Sequence, residues 1–102
     1  MGTHIYIKGH VVQSDSSETL DGFPLIEKAY DLGKSRSHEL GQEIIENLLL
    51  DGNTVELTDE DIREFLENAE LNEADALLFK NALEWVEKLT DGYRYVIVSI
   101  SY

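Results

Sequence analysis

Apolar and polar residues alternate through THIYIKGHVV (residues 3–12), with Ile5, Ile7 and Val11 on one side and His4, Tyr6, Lys8 and His10 on the other. A period of two is the pleat of a half-buried strand. YRYVIVSISY (residues 93–102) has the same period: Val96, Val98 and Ile100 share one face, and Tyr93, Tyr95 and Ile97 the other. Between these strands the period becomes helical. Leu40, Ile44, Ile45, Leu48 and Leu49 recur at helical spacing over residues 39–50, and Asp51, Gly52 and Asn53 supply a stop. Ile62, Phe65, Leu66 and Ala69 form a stripe at i, i+3, i+4 and i+7, introduced by Thr58 and Asp61 as a capping box with Asp in place of Glu. Asn72 caps another helix that runs to about residue 89, with Leu78, Ala82, Trp85, Val86 and Leu89 inward and Gly92 ending it.

Less periodic segments are read from their turn chemistry. Residues 13–22 are polar and turn-rich, as in an exposed loop or a hairpin tip. Pro24 suits a first helical position, and Ile26, Ala29 and Tyr30 then outline a short helix closed by Gly33. KSRSH (residues 34–38) is a basic loop, and TVEL (residues 54–57) is either a short edge strand or a connector. The sum is an α+β domain over residues 1–102. A small sheet includes the paired N- and C-terminal strands and is covered on one face by about four helices. Two strands alone are marginal in water, so a third strand or a second copy of the sheet is expected. Tyr6, Tyr93, Tyr95 and Ile97 then lie on one sheet face, which either more helix covers or a partner docks on.

Composition narrows the chemistry. The 102 residues include no cysteine, so disulfides, thiolate nucleophiles and cysteine-ligated zinc are all excluded. Apolar runs are too short for a bilayer span, and Lys8 and His10 interrupt the apolar N-terminal run that a signal peptide would need. A soluble, cytoplasmic protein with no membrane partner is the expectation.

Charge changes the picture most. The net charge is −13, and residues 39–75 alone carry −12, with thirteen acids against Arg63. Such a field repels nucleic acid and anionic membranes and attracts basic surfaces. Helix physics explains some of it: Asp59, Glu60 and Asp61 occupy a first turn, where the helix dipole favours anions, and Asp59 pairs with Arg63 at i, i+4. Glu64, Glu67, Glu70 and Glu73, with Glu39, Glu43 and Glu46, have no such explanation. From Asp59 to Glu70 six carboxylates span roughly 16 Å, one every ~3 Å, against one per ~3.4 Å on a DNA strand.

Other chemistry is poorly supported. Read as a calcium loop from Asp51, the sequence places Glu56 at the glycine position and Ile62 at the bidentate glutamate position. His4 and His10 stand about 20 Å apart along one strand face, too far to share a metal, and His38 is expected in solvent. Ser14, Ser16 and Ser17 lack a nucleophile-elbow pattern, and no glycine run cradles phosphate. No enzyme activity, cofactor or metal is expected. The leading expectation is a small acidic inhibitor that occupies the basic, nucleic-acid-binding surface of a nuclease, toxin or defence complex, through Glu60, Glu64, Glu67, Glu70 and Glu73 with Glu39, Glu43 and Glu46 in support. Immunity proteins and phage-encoded inhibitors work by this logic. The alternative is an adaptor or self-associating module, such as a homodimer, docking through Tyr6, Tyr93, Tyr95 and Ile97.

Overall fold

The computed structural model describes residues 2–14, 25–88 and 92–101. Pro24, Leu89 and most of the expected loop at residues 13–22 lie outside them. The described elements are β1 (His4–Ser14), β2 (Leu25–Ser35), α1 (His38–Asn47), β3 (Thr54–Leu57), α2 (Asp59–Asn68), α3 (Glu73–Glu87) and β4 (Gly92–Ser101). The strands form one antiparallel sheet in the order β2-β1-β4-β3. The first and last strands pair along their length, from His4 opposite Ser101 to Gln13 opposite Gly92, and occupy the centre.

Alternation decides which face is buried. Ile5, Ile7, Val96, Val98 and Ile100 from the central strands and Leu57 from β3 are buried together with Leu40 and Ile44 of α1, Ile62 and Phe65 of α2, and Phe79 and Ala82 of α3. The described helices therefore share one face of the sheet. At its centre the rings of Phe65 and Phe79 lie 4.8 Å apart, tilted by 49°. Phe79 stands one place off the stripe expected for α3, and its neighbour one turn earlier, Asp75, is buried too.

Three corrections follow. From Leu25 onward the expected helix at residues 24–33 is instead an edge strand, so three described helices cover the sheet rather than four. β2 pairs with β1 and skips Leu32: Gly33 lies opposite Ile7, but Asp31 lies opposite Lys8. This bulge shifts the pleat by one residue, so Ser35 and Gly33 on one side of it, and Leu32 and Tyr30 on the other, all turn toward the helices. Of the residues with helical spacing, Ala29 and Tyr30 both precede the bulge and face opposite sides of the sheet. KSRSH is likewise no loop, because Lys34 and Ser35 belong to β2 and His38 opens α1.

The second correction concerns α1, which ends at Asn47, three residues early. Leu48 is already extended, and the Asn47 side-chain Nδ2 donates to the Glu43 carbonyl oxygen at 2.9 Å. Residues 51–54 form a turn, with Gly52 at φ 65° and the Asp51 N–H donating to the Thr54 carbonyl oxygen at 2.8 Å. TVEL is thereby an edge strand. Leu49, outside the helix, is 96% exposed, and Ile45 is 50% exposed, so neither joins the core. In the third, α3 stops at Glu87 with Lys88 as its cap, and Gly92 opens β4 rather than closing the helix. No described helix is long and apolar enough to cross a membrane.

Candidate functional site

The helix caps fix where the carboxylates stand. Thr58 caps α2: its hydroxyl accepts from the Asp61 N–H, and Asp61 accepts in return from the Thr58 N–H at 3.0 Å. Asp59 and Glu87 both pair with Arg63. Asn72 caps α3 by accepting from the Asp75 N–H at 2.8 Å, while the Asp75 carboxylate accepts from the Ser35 hydroxyl at 3.0 Å. These acids hold the fold together.

Six of the remaining acids form two rows. Ile62 and Phe65 face the core, so Glu60, Glu64 and Glu67, spaced i, i+4 and i+7, project from the opposite side of α2 and are exposed. On α1, where Leu40 and Ile44 face the core, Glu39, Glu43 and Glu46 repeat that spacing. Glu39 and Glu46 are exposed and Glu43 is half-buried. One contact joins the rows: a Glu43 carboxylate oxygen accepts from the Glu70 N–H at 2.8 Å. Glu70 follows the Ala69 cap and so extends the array from outside α2, and exposed Glu73 opens α3. Among the described residues none of these eight carboxylates is in an ion pair.

The array is sparser than the sequence suggests. With Asp59 and Asp61 engaged, the outward row on α2 runs only from Glu60 to Glu67, about 10 Å with a charge every ~5 Å. Two short rows replace one dense line.

Beside them is a feature that periodicity did not indicate. A cleft of about 300 Å³ opens between α2, β3 and the end of α1. Its lining includes buried Leu57 and Phe65, half-buried Leu48 and Val55, the acidic residues Asp61 and Glu64, and fully exposed Leu49. An apolar wall with acidic residues in its lining suits a long cationic side chain, whose methylene stem lies on the wall while its head meets the charge.

On the sheet's opposite face stand His4, Tyr6, Lys8, His10 and Val12 of β1, and Tyr93, Tyr95, Ile97 and Ser99 of β4. Tyr6, Tyr93, Tyr95 and Ile97 do share this face, and among the described residues no helix covers it. Tyr95 stacks on His10 with centroids 5.1 Å apart, lies 5.8 Å from Tyr93, and donates its hydroxyl proton to Glu27 of β2. That hydrogen bond, with burial and the nearby negative charges of Glu27 and Glu56, pushes the Tyr95 phenol up to about 12. The His10 ring nitrogen Nδ1 lies 3.4 Å from the same Glu27 oxygen.

His4 lines a shallow cleft with Tyr6, Lys34 and Arg36, a cationic set rather than an acidic one. His38 is exposed, as expected, but not free: Nδ1 lies 3.3 Å from the Thr3 hydroxyl and Nε2 lies 3.2 Å from the Gln42 amide. Among the described residues no three His, Asp or Glu side chains converge to hold a metal. Compared with known protein families, curated proteins and solved structures, the chain matches none.

Proposed function

We propose that this protein is an acidic binding protein that occupies a basic surface of a partner protein, of the kind that otherwise holds nucleic acid, and blocks it. The observation that supports this reading is the absence, among the described residues, of ion pairs for the eight carboxylates displayed by α1, α2 and the start of α3. Like charges at i, i+4 cost a few tenths of a kcal/mol per pair, and lysines interspersed among them would remove that cost. Unpaired rows speed association with a basic surface, whereas slow dissociation needs desolvated anchors. Leu49 and the cleft beside it provide the anchor: a partner lysine or arginine enters against Leu48, Val55 and Phe65, and Glu64 receives its charge.

The test combines Glu64→Lys, Glu67→Lys and Glu70→Lys in one variant and makes Leu49→Asp separately. Immobilised protein is offered basic nucleic-acid-binding proteins, including nucleases, at low and moderate salt, with a DNA duplex as competitor. Capture that the duplex displaces and the triple variant loses, with thermal stability unchanged, supports the proposal. Capture unaffected by the triple reversal removes it. Leu49→Asp is expected to accelerate dissociation about tenfold while leaving the association rate nearly unchanged, as for loss of an apolar anchor.

A further inference from the structure

The open sheet face differs in kind from the acidic helical layer. Its charged side chains are Glu27, Asp31 and Glu56 against Lys8 and Lys34, so it is close to neutral while the excess charge lies on the other side of the sheet. Along its two central strands it presents aromatic and aliphatic groups. Tyr93 is 55% exposed and Tyr6 41% exposed, with half-buried Val12, Tyr95 and Ile97 between them. The rings are already ordered by their neighbours: His4 stacks on Tyr6 with centroids 6.4 Å apart, and His10 on Tyr95. Tyrosines fixed before binding lose little entropy on contact, which is why such residues serve as interface anchors.

We propose that this face is a homodimer interface, on which a second copy of the chain stacks sheet on sheet and leaves an acidic helical layer facing outward on each side. Charge selects that occupant. Between two copies each carrying −13, this contact keeps the helical layers on opposite outer surfaces. Two helical layers of ~10 Å and a gap of ~10 Å between sheets separate the acidic rows by about 30 Å, nearly four Debye lengths of ~8 Å at physiological salt. Apposition through the helices would bring the rows together.

Area sets the strength. The strands contain 11, 11, 4 and 10 residues. At ~3.3 Å per residue and ~4.8 Å between strands they project about 550 Å² per copy, so a pair covers roughly 1,100 Å². That is near the lower bound of stable interfaces, as expected for a micromolar dimer.

Sedimentation across a concentration series tests this, with the whole chain at low and high salt. The expected result is a monomer–dimer equilibrium in the micromolar range that high salt leaves intact or tightens. Tyr6→Glu with Tyr93→Glu is expected to weaken it at least tenfold, and Leu49→Glu to leave it unchanged. Because the chain lacks cysteine, Lys8→Cys and Glu67→Cys each take one spin label without disturbing the aromatic anchors. A short label-to-label distance at position 8 and a long one at position 67 support stacking through the open face, even where the tyrosine variants unfold. A monomer at millimolar concentration in both salts overturns the proposal. So does a dimer that ignores the tyrosine changes in folded protein, or one whose labels are closer at position 67 than at position 8.

Discussion

A methyl group at position 9 would lie 2.6 Å from two ring carbons of Trp85 and 2.9 Å from Leu32. Gly9 lets the helix layer settle directly on β1 at the point where Trp85 also meets Tyr30, at 5.9 Å, and the Arg94 guanidinium, at 4.6 Å. Gly9→Ala is therefore expected to cost about 1–3 kcal/mol in denaturant unfolding, with part of that recovered in a Trp85→Leu background that makes room. Tyr95 gives a second expectation at this scale. Its phenol is pushed up to about 12 by Glu27, so folding favours the protonated form. The resulting stabilisation is complete below pH ~10 and disappears as pH rises through about 12. A phenolate absorbance titration should show one tyrosine ionising late, absent in Tyr95→Phe and moved toward ~10 in Glu27→Gln. Such details were not legible in the sequence, because they depend on which residues the folded layers bring opposite one another. Leu49 shows the limit most plainly: it fits the apolar stripe of α1, yet the helix ends before reaching it.

At the scale of elements, local chemistry written in neighbouring residues was readable and chemistry shared across strands was not. The Thr58 capping box and the Asn72 cap lie within four residues of sequence and form as expected. Thr58→Ala should lower stability by ~1 kcal/mol and make the first turn of α2 exchange its amide protons faster, measurable residue by residue. β2 lies at the other extreme. Its apolar residues, seen alone, have helical spacing, yet Ala29 lies opposite His10 and Tyr30 opposite Gly9, on opposite faces of the sheet, and those faces are assigned only by the pairing with β1. Gly33, at φ 152°, sits beside the skipped residue, and a side chain there would meet Leu78 of α3 at 2.3 Å. Gly33→Ala is expected to destabilise the β1–β2 pair by more than Gly9→Ala does, since it combines the collision with backbone strain.

For the whole molecule, charge and packing are decided separately. The exposed carboxylates of the α2 row contribute nothing to the core, so Glu60→Gln, Glu64→Gln and Glu67→Gln together should leave the fold intact. Relief of repulsion should stabilise it by a few tenths of a kcal/mol, most visibly in thermal melts at low salt, where screening is weakest. The acidic excess in the middle third was visible before any fold was known, and so was the pairing of two strands from opposite ends of the chain. The order of that sheet carries a consequence of its own. β4 follows the other described strands in the chain, yet it stands between β1 and β3, and neither has its central neighbour until synthesis has passed Ser101. A nascent chain stalled at residue 90 holds a hairpin and loose helices, with Ile5, Ile7, Phe65 and Phe79 still awaiting a lid. Closure of the core accordingly waits on β4, and the chain is most prone to aggregate in the interval before that strand is in place.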